Sequence, residues 1–389
     1  MEQNPDTLIA KFLRKELSQE EVKDLKDWME LPENRSFLEE EIQIYHLINA
    51  HCMSFDTDKA YDDLMAKREL NTKTTVLPMG RPWFRYAAAA IFVGLIALAY
   101  FFRNDVVNTQ RPPSTPIIVN NEIEAGTDKA TLTLDSGEEV VLEKGQNYQN
   151  QHLVSNGEEI VYQAAEQDKE RIVYNSLTIP RGGQFNLKLA DGTRVWLNSE
   201  TRLKYPTSFP EGESRVVELV YGEAYFDVSP STEHQGADFK VYHGQQEVEV
   251  LGTEFNIKAY KDETIVYTTL AEGKVAVDYN GGATFLNPGE QTKLDLNSNR
   301  ITVVNVNVSR ETAWKEGLFS FRHMPLKDIM RVLSRWYDFE VVYEDEKLEE
   351  KRFMGTLDRF QSIEEILSAL QGTNAIQSYE INQKTLLLK

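Results

Sequence analysis

The spacing of apolar and polar residues changes character three times along this chain. Up to about residue 70 the apolar residues recur at helical spacing, which predicts a small all-α bundle over residues 1–70. A continuous apolar run follows at 83–102, and short alternating segments that predict strands begin near 121. From about 314 predicted strands alternate with predicted helices, so four structured parts are expected.

The apolar run at 83–102 predicts one transmembrane helix. About 20 residues span about 30 Å as a helix, which matches a bilayer core. Trp83 and Arg85 flank the run at its start and Arg103 at its end, as interfacial anchors do, whereas a buried core helix would not need them. Lys and Arg are more frequent before the run than after it, so we expect the N-terminus in the cytoplasm.

The strand pattern predicts a repeated hairpin. Alternating residues around an Asp191–Gly192 turn indicate a β-hairpin, and the same spacing occurs earlier around Gly137. We therefore predict an extended β-sandwich or stacked sheet over 121–308, rather than a closed barrel. Linkers are predicted at 71–82, before the span, and at 103–120, where a Pro-rich stretch indicates an extended stalk.

The last part, 314–389, predicts a small α/β domain of order β-α-β-β-α-β. The fold class expected for the whole chain is therefore multidomain: an all-α bundle, one transmembrane helix, a β-rich domain and a small α/β domain. In the first helices, Ser18 and Glu21 form a predicted capping box that opens a helix through Trp28.

Composition narrows the possible functions. The 389 residues carry 62 acidic and 42 basic side chains, a net charge of −20, which disfavours direct binding of nucleic acid. Solubility alone also explains such a charge. The sequence contains no P-loop, G-x-S-x-G or H-E-x-x-H motif, so we expect no enzyme, cofactor, metal site or small-molecule substrate. The single cysteine, Cys52, leaves no disulfide after the span.

Several long motifs resemble a known family. They are PRGGQFNLKLADGTRVWLNSETRLKYPTSF at 180–209, VEVLGTEFNIKAY at 248–260 and TTLAEGKVAV at 268–277. These motifs resemble the periplasmic part of FecR-type anti-sigma factors of the kind found in Bacteroidetes. The tail, residues 314–345, is similar to the C-terminal domain of these proteins. That domain in turn resembles the short N-terminal signalling domain (STN) of secretins and TonB-dependent transporters.

The resemblance implies a single-pass inner-membrane regulator with its C-terminus in the periplasm. The cytoplasmic bundle would bind an extracytoplasmic-function (ECF) sigma factor, and the periplasmic part would meet the signalling domain of a SusC-like TonB-dependent transporter. An acidic bundle suits the basic surfaces of a sigma factor. The apolar positions considered as sigma-factor contacts are Leu8, Phe12, Trp28 and Phe37. The alternative is a membrane-anchored periplasmic scaffold or binding protein that regulates no sigma factor.

Some relatives that the sequence resembles cleave themselves between Gly and Thr, and the matching pair here is Gly252–Thr253. Attack of the Thr hydroxyl on the preceding carbonyl requires a strained peptide bond, which a preceding Gly permits. We favour the alternative that Gly252 is a glycine of a bulge or turn between two strands.

Overall fold

The computed structural model describes residues 18–29, 117–150, 153–162, 172–373 and 376–389. Half of these described residues lie in strands, and they include four α-helices. The helices are α1 (Gln19–Trp28), α2 (Val308–Glu311), α3 (Leu326–Tyr337) and α4 (Ile363–Gly372). The first ten strands are β1 (Ile117–Asn121), β2 (Thr127–Thr133), β3 (Glu139–Glu143), β4 (Tyr148–Gln149), β5 (Leu153–Ser155), β6 (Glu159–Tyr162), β7 (Tyr174–Ile179), β8 (Gly183–Lys188), β9 (Arg194–Leu197) and β10 (Thr201–Pro206).

The next nine strands complete a β-rich region. They are β11 (Arg215–Asp227), β12 (Phe239–His243), β13 (Gln246–Val250), β14 (Glu254–Ala259), β15 (Ile265–Glu272), β16 (Val275–Tyr279), β17 (Gly282–Leu286), β18 (Glu290–Asp295) and β19 (Arg300–Asn305). Short 3₁₀ turns lie at Ser231–Glu233, Ala313–Glu316 and Glu346–Leu348. The C-terminal region adds β20 (Leu318–Pro325), β21 (Glu340–Tyr343), β22 (Arg352–Asp358), β23 (Tyr379–Gln383) and β24 (Thr385–Leu388).

The predicted hairpins are present in the described structure. β8 and β9 pair antiparallel around the Asp191–Gly192 turn, where the Gly192 amide donates to the Leu189 carbonyl at 3.0 Å. β2 and β3 pair in the same way, and the Gly137 amide donates to the Leu134 carbonyl at 2.9 Å. β2 also pairs parallel with β8, so the two hairpins are neighbours. Their inward residues Leu132, Leu142, Leu187 and Leu197 belong to one buried core.

The long strand β11 belongs to two sheets. Its first half pairs with β10 and β12, and its second half, from Gly222, pairs with β9 and β14. Gly222 has φ of +104°, and a β-carbon at this position would overlap atoms of Thr201. The strand can therefore change sheets only at a residue without a side chain.

This bend closes the sheet. β2, β7, β10, β11, β9 and β8 pair in succession, and the pairing of β8 with β2 completes a six-strand barrel within an 18-stranded sheet. The prediction of an open sandwich or stacked sheet rather than a barrel is therefore wrong. Alternation along each strand shows which residues face inward, but not that two hairpins meet across β2 and β8.

The predicted fold class is wrong for the chain as a whole. The described residues are predominantly β, and none of their helices is long and apolar enough to cross a membrane. The predicted span at 83–102 lies outside the described residues. Of the predicted bundle over 1–70, only 18–29 is described: it forms α1, with the predicted capping box between Ser18 and Glu21. The domain boundaries remain a prediction.

The C-terminal region contains both helices and strands. β20 and β22 form a two-stranded sheet, while β1, β23, β24 and β21 form a second sheet in that order. β1 comes from the end of the segment predicted as a stalk. The helices α3 and α4 bury their apolar faces in a core that is separate from the core of the β-rich region. Trp336 is buried in this second core.

Candidate functional site: the junction of the two regions

Buried arginines join the C-terminal region to the β-rich region. Arg335, in the last turn of α3, donates to Glu263 Oε1 at 2.8 Å and to Asp262 Oδ1 at 2.5 Å. Its guanidinium lies over the ring of Tyr260, 3.6 Å from the ring centre. All three partners, Tyr260, Asp262 and Glu263, lie in the turn just after β14. Arg335 therefore fixes α3 to one turn of the β-rich region with a forked ion pair and a stacking contact.

The charges around Glu263 stabilise one another. Lys258 Nζ lies 2.9 Å from Glu263 Oε2. Burial alone would raise the pKa of Glu263, but Lys258 and Arg335 outweigh it and hold this pKa below its ordinary value. Burial alone would lower the pKa of Lys258, but Glu263 and Glu223 outweigh it and raise it. Glu263 and its two cationic partners therefore favour one another's charged forms.

A second arginine, Arg359, is buried between the regions. Its guanidinium carbon lies over the indole of Trp336, 3.7 Å from the ring centre. It donates to the Trp314 carbonyl and to Asn198 Oδ1, each at 2.9 Å. Burial lowers the pKa of Arg359 to about 10. The side chain remains a cation at neutral pH, and its bond to Asn198 links it to the barrel.

Asn198 also contacts a buried carboxyl group. Glu223, the residue after the bend of β11, accepts from Asn198 Nδ2 at 2.9 Å and from Asn256 Nδ2 at 3.0 Å. Burial raises the pKa of Glu223, although Lys258 and the two amides act against this. A continuous hydrogen-bond chain thus runs from the barrel bend through Asn198 to Arg359.

A third arginine closes the end of α3. Arg181 donates to the carbonyls of Ser334 and Phe339, each at 2.7 Å, and the Gly182 amide donates to the Arg335 carbonyl at 2.7 Å. The last carbonyls of a helix have no partner within it and carry partial negative charge. The segment before β8 therefore supplies both the donors and the cation that this helix end requires.

A cavity of about 380 Å³ lies between the two regions. Its walls include Glu223, Lys258, Tyr260, Trp314, Arg335 and Arg359. Several of these side chains already bind one another, so the wall is a network of ion pairs and hydrogen bonds. In the described parts of the chain no cluster of three or more His, Cys, Asp or Glu is placed to hold a metal ion.

A separate buried ion pair fixes the predicted hairpin turn. Arg215 Nη1 lies 2.8 Å from Asp191 Oδ2, and both side chains are buried. Arg215 also donates to the carbonyls of Ser229 and Ala237, at 2.9 Å and 3.2 Å. The pair ties the β8–β9 turn to the start of β11 and belongs to the fold rather than to the junction.

The candidate cleavage pair lies between β13 and β14. Gly252 has φ of +142°, and a β-carbon there would approach Pro230 Cα to 3.0 Å. Thr253 is buried, and its hydroxyl donates to the Lys274 carbonyl at 3.1 Å. The hydroxyl would have to give up this bond before it attacked the Gly252 carbonyl. This position fits both interpretations of the pair, so self-cleavage remains a prediction.

The other predicted site residues are mostly outside the described parts. Trp28 is half-buried at the end of α1. The sigma-factor candidates Leu8, Phe12 and Phe37 and the membrane-flanking residues Trp83, Arg85 and Arg103 lie among residues that the structure does not describe.

The junction residues were missed by the sequence analysis. Arg335 and Glu223 each interrupt an apolar pattern, in SRWY and in VYGEAYF. A charged residue at a predicted buried position is the signal that could have identified them, since such residues are almost always paired. The sequence offered no comparable signal for Arg359, which follows β22 in a turn.

Comparison with known proteins assigns the two regions. The family model described as FecR protein matches residues 175–276, and the one described as FecR, C-terminal matches residues 318–388. The chain is also 31% identical to a candidate anti-sigma factor from Parabacteroides distasonis ATCC 8503, over 98% of that chain and 55% of this one. The chain belongs to the FecR family. That relative has crystal structures at 1.65 Å and 2.50 Å, each with a TM-score of 0.49 to this chain.

No curated protein matches the chain. The two FecR family matches lie on opposite sides of the junction. Arg181 and Glu223 belong to the first match, and Arg335 and Arg359 belong to the second. The junction contacts of these residues are therefore contacts between the parts of the chain that match the two FecR family models.

Proposed function

We propose that this FecR family member is an anti-sigma factor, a regulator without enzymatic turnover. The observation that carries the proposal is its 31% identity to the candidate anti-sigma factor over nearly all of that chain. The junction is consistent with signal reception. Because a buried ion pair and hydrogen bonds hold the C-terminal region to the β-rich region, a partner that binds one region acts on both.

The partners and location belong to the same proposal. The N-terminal residues, which include α1, bind an ECF sigma factor in the cytoplasm. The apolar run at 83–102 anchors the chain in the inner membrane, and the regions after it face the periplasm. There they receive the signalling domain of a SusC-like TonB-dependent transporter. These assignments rest on the sequence pattern and the family resemblance.

Capture of a sigma factor tests the core of the proposal. The tagged full-length chain is isolated from its own organism in mild detergent, and bound proteins are identified by mass spectrometry. We expect an ECF sigma factor in the eluate. Trp28→Ala, at the end of α1, is expected to reduce its yield, whereas Lys26→Ala at an exposed position of the same helix should not. Recovery of no sigma factor would refute the proposal and favour a periplasmic scaffold.

A transcription reporter tests the direction of regulation. Deletion of the gene should change the transcription of the operon that the captured sigma factor controls, and the wild-type gene should restore it. Arg335→Ala leaves the N-terminal region intact, so it should preserve sigma-factor binding while altering the response to the transporter's substrate. If Arg335→Ala left the response to the transporter's substrate unchanged, the junction would not be needed for signalling.

Self-cleavage is a second candidate activity, favoured by one observation: Gly252 has positive φ directly before a buried Thr. The Thr253 oxygen would bond to the Gly252 carbonyl carbon as the peptide C–N bond breaks, and the hydroxyl proton would pass to the freed amine. Water would then hydrolyse the ester. Immunoblotting of wild type and Thr253→Ala decides the question, because a single full-length band for wild type excludes cleavage.

A further inference from the structure

The strand β1 is held more weakly than the rest of its sheet. Among the described strands it lies at an edge of its sheet and pairs only with β23. The consecutive residues Ile118 and Val119 are 45% and 48% exposed, so neither face of the strand is fully buried. By contrast, β24 pairs on both sides and buries Leu386 and Leu388 completely. Backbone pairing, rather than apolar burial, therefore holds β1 in place.

The pairing itself is short and ends in one polar anchor. Ile117, Ile118 and Val119 lie opposite Glu380, Ile381 and Asn382, and the register shifts before Asn121. The Asn121 side chain donates to Glu364 Oε1, and its own oxygen accepts from the Ile123 amide at 2.9 Å. This side chain therefore ties the end of β1 to α4.

Beyond Asn121 the chain is fixed firmly. Ile123 is buried in the core of the C-terminal region. Gly126 lies so close to the indole of Trp336 that a β-carbon there would approach the ring to 2.6 Å. Separation of β1 from β23 would therefore stop at Ile123 and leave the junction and both cores intact.

We propose that β1 is a detachable strand and that the edge of β23 beneath it is a strand-binding surface. Its resident occupant is β1, and it fits an extended segment that runs parallel to β23 and has apolar residues like those of Ile117–Val119. The chain N-terminal to β1 is covalently joined to the β-rich and C-terminal regions through this strand. Release of β1 thus loosens that connection without unfolding either region.

Hydrogen exchange of the full-length chain, measured by mass spectrometry, tests detachment. We expect the amides of 117–121 to exchange at least about tenfold faster than those of 385–388 in β24, since local opening needs less free energy than loss of a strand that is paired on both sides. Asn121→Ala removes both hydrogen bonds of this side chain and should accelerate exchange at 117–121 at least about fivefold further. Equal protection of both segments, or no effect of Asn121→Ala, would overturn the proposal.

A matched control removes an asparagine elsewhere. Asn156 Oδ1 accepts from the amides of Glu158 and Glu159 at 2.9 Å and 2.8 Å, in the turn between β5 and β6. Asn156→Ala should accelerate exchange in that turn and leave 117–121 unchanged. Acceleration at 117–121 in this variant would show general destabilisation instead of local detachment.

A disulfide tests the binding surface. Val119 and Asn382 are register partners, so cysteines at both positions, in a Cys52→Ser background, can lock β1 onto β23. A labelled peptide of sequence TPIIVNNEI copies residues 115–123. It should bind both the reduced protein and the Asn121→Ala variant, and it should bind the oxidised protein at least about tenfold less tightly. Equal binding of the peptide to the oxidised and reduced proteins, or no binding to Asn121→Ala, would refute the proposal that the edge of β23 binds a strand.

Discussion

Arg335→Ala is the sharpest test of the junction. The substitution removes the fork to Glu263 and Asp262 and the stacking contact with Tyr260, but it leaves the apolar residues of α3 in place. We expect the C-terminal region to lose its fixed position against the β14–β15 turn while both cores persist. The free energy of unfolding should fall because Glu263 loses one of its two cationic partners.

The size of the loss follows from what remains. Removal of one partner from a fully buried ion pair costs about 3–5 kcal/mol. Here Lys258 stays 2.9 Å from Glu263, and the side chain of Asp262 is 53% exposed and regains water. Both facts reduce the loss, so we expect about 2–3 kcal/mol.

Denaturant unfolding followed by tryptophan fluorescence measures this loss, since Trp314 and Trp336 both line the junction cavity. Arg331→Ala is the matched control, one turn earlier on α3. Arg331 lies 3.0 Å from Asp328 and 3.7 Å from Asp262 with its side chain 37% exposed, so its loss should cost about 0.5 kcal/mol or less. Equal losses in the two variants would refute the view that the buried fork holds the regions together.

The pH dependence gives an independent check. The pKa of Glu263 is lowered in the folded protein, so its ion pairs stabilise the fold above the ordinary value of 4.5. This contribution disappears as the pH falls through the lowered pKa. The difference between wild type and Arg335→Ala should therefore be largest near neutral pH and shrink in acid. A difference that does not change with pH would show that the loss is one of packing.

Three further outcomes are expected. Burial raises the pKa of Glu223, so ionisation of this residue destabilises wild type as the pH rises through that pKa. Glu223→Gln should lose this pH dependence. If denaturant titrations gave the same change of stability with pH for both proteins, this expectation would be wrong. Gly222→Ala should cost at least twice as much stability as Gly281→Ala, since both glycines have positive φ but of these two only Gly222 lacks room for a β-carbon. Gly281→Ala itself should cost about 1 kcal/mol. Equal shifts in the midpoint of thermal unfolding would show that the space around the β-carbon does not matter. If the chain cleaves itself, Thr253→Ala should convert two fragments on an immunoblot into one full-length band.

Local features of the fold were predictable because they depend on neighbouring residues. The Asp191–Gly192 turn, its counterpart at Gly137 and the capping box at Ser18 each need only a few adjacent side chains. Turn chemistry and alternation identify such features from sequence. The barrel was not predictable in this way. Its closure depends on the pairing of β2 with β8 and on the bend of β11, which join residues far apart in sequence.

The junction was missed for a related reason. A charged residue inside an apolar pattern looks the same in sequence whether it reaches solvent or a partner on another strand. Glu223 and Arg335 differ from surface charges only through Asn198, Asn256 and Glu263, which the fold brings to them. The family resemblance located both modules but contained no information about how they dock.

Charged contacts give this junction a property that apolar packing would not. Well-packed apolar residues could match a buried ion pair in stability, but they tolerate small shifts. Arg335 and Arg359 each bind through directed hydrogen bonds, and a displacement of α3 would leave several buried groups without partners at once. The docked position is therefore well defined and its partial loss is costly. β1 lies at the edge of its sheet, and its proposed release stops at Ile123, so a partner can act on the connection to the N-terminal part while the junction stays closed.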